Sequence, residues 1–164
     1  MIKNVSGIFV VLLMISFISF SFVGKDTPTE GLSIGDKAPE FNFGKEKQSM
    51  NLKDLRGKYV LLSFWASYDA SSRMQNATLS HAISEADNVE MVSVSFDEYE
   101  SIFNGTIKQD RIPASNCYVD LNGQKSSLYK TYRLQKGFKN YLLDKNGVII
   151  AKDVKASELS SYLN

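Results

Sequence analysis

A chain of 164 residues with 43% hydrophobic content builds one ordinary core and is too short for two large ones. Nineteen basic and 18 acidic residues leave a formal net charge of +1, which gives no electrostatic footprint for nucleic acid. The single cysteine, Cys117, has no partner within the chain for a disulfide.

The chain opens with Lys3 and then an apolar run from Ile8 to Val23, broken by Ser16, Ser19 and Ser21. This pattern predicts residues 1–24 as a secretory signal cleaved after Ser21 or, left uncleaved, as an N-terminal membrane anchor with Lys3 on the cytoplasmic side. Either way the domain is expected outside the cytoplasm, in the periplasm or cell envelope, secreted or anchored. No Cys follows the run, so a lipoprotein anchor has no attachment point. Residues 25–33 (KDTPTEGLS) read as a polar linker, and 34–164 as the globular domain.

Within the domain, Glu40 to Phe43 and Gln48 to Met50 are predicted as a short hairpin around Gly44, followed by a turn capped by Asn51 and ended by Gly57. Tyr59 to Trp65 is a nearly continuous apolar run that reads as a buried central strand. It leads into Asp69, Ser71 and Ser72, residue types that favour helix starts. A helix from about Ala70 to Asp87 presents Leu79, Ala82, Ile83 and Ala86 on one face. Val89 to Phe96 alternates like a strand, and strand, helix and strand in that order predict a right-handed parallel crossover. Further along come a helix over Asp97 to Gln109 weakened by Gly105, a strand over Ala114 to Val119, a turn at Asn122-Gly123 and a helix over Gln124 to Arg133. Tyr141 to Asp144 and Val148 to Asp153 read as a hairpin turning at Asn146-Gly147, and a last helix starts near Ser157 with Leu159 and Tyr162 or Leu163 inward. The basic cluster from Lys125 to Arg133, diluted by Ser, Tyr and Leu, reads as a solvated helix face.

The stretch Phe64-Trp65-Ala66-Ser67-Tyr68-Asp69-Ala70-Ser71-Ser72-Arg73 resembles the F-W-A-x-W-C-x-x-C-R active-site pattern of the thioredoxin superfamily, in its exported TlpA-like and ResA-like branch of thiol-disulfide oxidoreductases. Gly35 to Phe41 is similar to that family's G-x-x-A-P-x-F entry motif, Leu52 to Lys58 to its L-x-D-L-[RK]-G-K, Val92 to Asp97 to its second core strand, and Tyr141 to Gly147 to its F-L-I-D-x-x-G hairpin. The resemblance implies an α/β, thioredoxin-like fold: a central mixed β-sheet flanked by helices on both faces, with an N-terminal β-hairpin extension. It also implies where the chemistry should lie, and there the chain departs. Asp69 and Ser72 stand at the two cysteine positions.

Dithiol exchange needs one low-pKa thiol at the helix N-terminus and a second to resolve the mixed disulfide. Neither Asp69 nor Ser72 supplies a thiolate, so no catalytic residue is assigned. Asp69 reads as an N-cap, or with Ser72 as a pair that polarises a ligand. The position of the family's cis-proline falls on Phe138, in Gly137-Phe138-Lys139-Asn140, where a trans bond is expected because a cis bond without proline costs about 3 kcal/mol. Trp65 borders the site as core, whereas Tyr68 and Phe138 predict an exposed apolar corner. The candidate binding residues are therefore Trp65, Tyr68, Asp69, Ser72, Gly137, Phe138 and Lys139. Cys117, in a predicted strand, reads as buried and inert, or else as an exposed thiol able to form a mixed disulfide.

His81 is the lone histidine and has no neighbouring ligands in sequence, so no metal site and no cofactor are expected. There is no G-x-G-x-x-G, Walker loop or G-x-S-x-G, which leaves nucleotide binding and serine hydrolysis unsupported. Two functions follow. One is a redox-inactive module that binds an extracytoplasmic protein or peptide, touching membrane only through an uncleaved N-terminal segment. The other is a thiol-disulfide oxidoreductase or peroxidase-related enzyme of the thioredoxin and AhpC/TSA type, working through Cys117 or without a thiol.

Overall fold

The computed structural model describes residues 27–163 apart from 44–49, 85, 87 and 116. The apolar run from Ile8 to Val23, the turn at Gly44 and the start of the polar stretch 25–33 lie outside the described residues. Among the described residues no helix is long and apolar enough to cross a membrane.

Two residues on each side form the N-terminal hairpin, β1 (Asn42–Phe43) and β2 (Met50–Asn51), paired antiparallel with Asn42 opposite Asn51. Asn51 Oδ1 accepts the Lys53 N–H at 3.0 Å and caps a 3₁₀ turn over Leu52–Leu55. The central sheet follows: β3 (Tyr59–Trp65), β4 (Val89–Ser95), β5 (Cys117–Val119), β6 (Asn140–Leu143) and β7 (Ile149–Lys152), in the spatial order β5-β4-β3-β6-β7. β3 runs parallel to β4 and antiparallel to β6, so the sheet is mixed. Its helices are α1 (Ala70–Ile83), α2 (Glu100–Gln109), α3 (Ser127–Thr131) and α4 (Leu159–Tyr162).

Alternation along β3 divides the core. Val60, Leu62 and Phe64 pack with Leu128, Tyr129 and Tyr132 beneath α3, while Leu61 packs with Leu79, Ile83 and Leu159 beneath α1 and α4. Both faces of the central strand are thus covered, which is why its sequence is an apolar run rather than an alternation. Each fully buried large side chain here contributes roughly 1.5–3 kcal/mol.

Several elements differ from their sequence expectation, each for a local reason. α1 stops at Ile83 rather than Asp87, because the Ser84 hydroxyl turns back onto the His81 carbonyl at 2.7 Å. α2 begins at Glu100 rather than Asp97, whose side chain is engaged elsewhere. β5 is shorter than Ala114–Val119 because the Cys117 N–H bonds back to Ala114 across a turn. The predicted helix over Gln124–Arg133 is broken at Ser126, whose hydroxyl accepts the Leu128 and Tyr129 N–H groups and so starts α3 afresh. Beyond α3 the chain turns at Arg133 in a left-handed conformation into a 3₁₀ turn over Leu134–Lys136. In the β6–β7 turn, Asp144 Oδ1 accepts the N–H groups of Asn146 and Val148, and Gly147 takes a φ of 79° that other residues adopt at a cost. Of the last helix, Leu159 is buried and Leu163 packs on the core, while Tyr162 is exposed. Thr29 to Ser33, read as linker, bonds back onto Asp36 and Lys37.

Candidate functional site

The C-terminal ends of β3 and β4 open beside the start of α1, and three residues, Ala66 to Tyr68, connect β3 to the helix cap. Asp69 is that cap: its Oδ1 accepts the Ser72 N–H at 2.8 Å. Ser72 is buried and its hydroxyl donates to the Asp69 carbonyl at 3.2 Å. Each residue at the two tip positions therefore satisfies the other. A carboxylate here gains the first-turn N–H groups and the positive end of the helix dipole, typically about 1 kcal/mol.

Trp65, expected from sequence among the binding residues, is fully buried. Its Nε1–H donates to Ser93 Oγ at 2.8 Å, which in turn donates to Asn76 Oδ1 at 2.9 Å, so Trp65 braces the site from behind and offers no surface to a ligand. Tyr68, by contrast, is 61% exposed and its ring centroid lies 6.3 Å from that of Phe138. Phe138 is half-buried and stacks on Phe96 at 6.1 Å. Sequence reasoning placed Tyr68 and Phe138 on one corner, and the structure brings them together there. Gly137 takes a φ of 113°, no cis peptide bond occurs among the described residues, and the backbone N–H and C=O of Phe138 carry no hydrogen bond among them. Lys139 accepts the Phe64 N–H through its carbonyl, and its ammonium pairs with Asp153 at 3.1 Å.

Ser67 and Asp97 were missed from sequence. Asp97, at the end of β4, is buried and accepts the Ser67 N–H at 3.0 Å, the Ser67 hydroxyl at 2.7 Å and the Ser95 hydroxyl at 2.7 Å. Ser67 Oγ also stands 2.8 Å from Thr106 Oγ1 on α2. This network fixes the β3–α1 connection to β4 and α2. It floors a cleft of about 460 Å³ whose rim carries the exposed Tyr68, Tyr99 and Ile102. The signal was present as Ser93, Ser95 and Asp97, a polar stripe at period two on a strand face that lies under a helix.

Beside the same cleft, Arg73 forks onto Asp110 with Nε–Oδ2 and Nη2–Oδ1 distances of 2.7 Å each, tying α1 to the end of α2. The hydrogen bond to Arg73 holds the Asp110 carboxyl below its ordinary range. His81, exposed on α1, approaches the Asp110 carbonyl at 3.3 Å.

Cys117 is not part of this corner. It pairs in register with Ser93 and lines a cleft shared with Ser80, Ile83 and Ser84 near the far end of α1. Eleven residues of helix, about 16 Å, separate Ser80 from Asp69. The thiol is half-buried, with Sγ 3.1 Å from the Pro113 carbonyl, and burial pushes it above its ordinary pKa, opposed by a hydrogen bond with Ser93.

Known proteins resemble this chain along most of its length. The AhpC/TSA family model matches residues 34–152. A thioredoxin-like protein from Parabacteroides distasonis is 41% identical with a TM-score of 0.73, covering 84% of this chain and 98% of that one. A thiol-disulfide oxidoreductase from Bacteroides fragilis is 28% identical with a TM-score of 0.65, covering 78% and 97%. The thiol-disulfide oxidoreductase ResA of Bacillus thuringiensis subsp. konkukian is 25% identical over 95% of this chain and 90% of its own length. With its mixed five-stranded sheet and a helix opening at the end of β3, the chain belongs to the AhpC/TSA family and has the thioredoxin-like fold of the thiol-disulfide oxidoreductases.

Proposed function

We propose that this protein is an exported thioredoxin-like domain that performs no dithiol exchange and instead binds an extended protein segment at the corner of Tyr68, Asp69, Ser72 and Phe138. The observation that carries the reading is the chemistry of the helix tip. Oxygen stands where exchange needs sulfur, and the Asp69 and Ser72 groups are committed to each other rather than poised for a substrate. A hydroxyl has no thiolate to offer near neutral pH.

What the corner does offer suits a peptide. Tyr68 and Phe138 provide an apolar surface, and the Phe138 N–H and C=O are free to pair with extended backbone. Affinity would come from main-chain hydrogen bonds and selectivity from the side chain laid over the aromatic pair. The apolar run behind Lys3 supports export, and with it a partner in the periplasm or cell envelope.

The second reading, thiol exchange through Cys117, draws on the names of the relatives. Burial and the Pro113 contact both work against a reactive thiolate there. Two measurements separate the readings. In an insulin-reduction assay with dithiothreitol, the first reading expects no turnover above the reductant alone. Alkylation of native Cys117 at pH 7 is expected to be slow until denaturant is added; rapid labelling together with insulin turnover would establish the second reading. Binding itself is tested on an array of extended peptides, where Phe138→Ala is expected to lower retention about tenfold. Equal retention by the variant would remove the corner as the binding site.

A further inference from the structure

A second cleft, of about 500 Å³, lies under the turn that follows α3, where the N-terminal segment crosses the β6–β7 edge. It shares Lys139 with the corner described above and none of the tip residues. Four cations line it, Arg133, Lys136, Lys139 and Lys152, against two carboxylates, Glu30 and Asp36. Asp153 pairs with Lys139, so three unpaired cations face two carboxylates and the cleft carries a local charge of +1.

The way these groups are held distinguishes the cleft from a solvated basic surface. Among the described residues Arg133 and Lys136 have no ion pair, and Lys139 alone of the four is bonded to an acid, Asp153. Arg133 sits at a φ of 54°, a left-handed conformation that a non-glycine residue adopts at a cost. That turn places it in the cleft lining, away from the helix face to which its sequence position assigned it. The Lys152 ammonium lies 5.7 Å from the Tyr141 ring centroid, beside its cross-strand partner.

Tyr141 supplies the independent observation. Its side chain is 1% exposed and lines the cleft, and the hydroxyl at its end takes no hydrogen-bond partner among the described residues and is not sealed from solvent. The neighbouring Tyr132 hydroxyl, by contrast, donates to the Pro39 carbonyl at 2.7 Å. Burial and the nearby Asp153 push Tyr141 up to about 12, so it is an O–H donor at any physiological pH. A donor that reaches the cleft and is claimed by no protein acceptor is available to an acceptor oxygen on a ligand.

We propose that this cleft binds a phosphate monoester group, with Arg133 and Lys152 neutralising the charge and the Tyr141 hydroxyl donating to a phosphoryl oxygen. A phosphate monoester is largely dianionic at pH 7.5, and its three terminal oxygens accept from the unpaired cations and the tyrosine hydroxyl. Two sources present this chemistry, a soluble phosphorylated compound and the headgroup of phosphatidic acid. The proposal does not rest on the peptide-binding reading, since the tip residues take no part.

The test is titration of the full chain in detergent with two probes at constant ionic strength, followed by calorimetry and by tyrosine NMR signals. Inorganic phosphate is the first probe and dihexanoyl phosphatidic acid below its micelle concentration is the second. Saturable binding is expected, weakened about fivefold by Tyr141→Phe and about tenfold or more by Arg133→Gln with Lys152→Gln, with unchanged circular dichroism. Tighter binding of the lipid than of phosphate assigns the headgroup as the source, and comparable binding assigns a soluble phosphate compound. No saturable signal for either probe into tens of millimolar overturns the proposal. So does binding that all these variants leave intact, since diffuse surface charge would account for it.

Discussion

At the tip of α1 the polar side chains answer one another: Asp69 takes the Ser72 N–H, Ser72 returns its hydroxyl to Asp69, and Asp97 nearby collects three donors from Ser67 and Ser95. In the cleft around Tyr141 the reverse holds, with a tyrosine hydroxyl unpartnered and three cations, Arg133, Lys136 and Lys152, left without acids among the described residues. The exposed groups at the tip are aromatic rings and free backbone, whereas those in the cleft are donors and positive charge. The difference teaches what each region can recognise. A site whose polar groups are already paired binds through apolar contact and main chain, and one with unmatched donors binds an acceptor.

The comparison breaks most readily at Asp97. Asp97→Ala strands the Ser67 N–H and the Ser95 hydroxyl and leaves the Ser67 hydroxyl with Thr106 alone, and the expected loss is about 3 kcal/mol, read as a lower urea midpoint. Phosphate affinity at the Tyr141 cleft should stay unchanged, because sites without shared partners behave additively. A loss below about 1 kcal/mol would mean that the network does not hold the β3–α1 connection.

Next in size is Asp110→Asn, expected to cost about 1–2 kcal/mol at pH 7 by removing the forked pair with Arg73. The pH dependence has a definite sign. The folded Asp110 carboxyl titrates below its unfolded value near 4, so the pair stabilises fully above that value and the benefit is lost as pH falls through the lower, folded one. Wild type and variant should therefore converge in strongly acidic solution. A gap that persists there would assign the effect to packing. Asp69→Ala follows at about 1 kcal/mol, the worth of an N-cap, with no effect on insulin turnover, which is absent from the start on the proposed reading.

How legible these regions were depends on how local their causes are. Tyr59–Trp65 was read to the residue because burial on both faces writes itself into one apolar run, and Asp69 was read as a cap because capping is settled within three residues. Asp97 resembles a helix-start residue in sequence, but Ser67, 30 positions away, claims its carboxylate and α2 begins later. Gln124–Arg133 reads as one helix because nothing local says whether the Ser126 hydroxyl faces solvent or recaps the chain. Tyr68 and Phe138 could be paired through family spacing, which carries tertiary information that periodicity lacks. The Tyr141 cleft was illegible for the opposite reason. Glu30, Arg133, Tyr141 and Lys152 come from four segments, and Arg133 reaches the cleft through a left-handed backbone that an arginine does not advertise.

The smallest expected effect on stability carries the sharpest distinction between the two regions. Tyr68 is largely exposed and its ring meets Phe138 only across 6.3 Å, so Tyr68→Ala should change stability by no more than about 0.5 kcal/mol. Peptide retention at the corner should nevertheless fall severalfold, because the apolar contact is the part of recognition that the satisfied polar groups cannot supply. The same variant should leave phosphate binding at the Tyr141 cleft untouched. If Tyr68→Ala instead destabilised the fold by more than about 1 kcal/mol, its ring would be a piece of the Phe96, Tyr129 and Phe138 cluster. The tip would then be a closed surface, with the cleft left as the only one of the two regions built to receive a ligand.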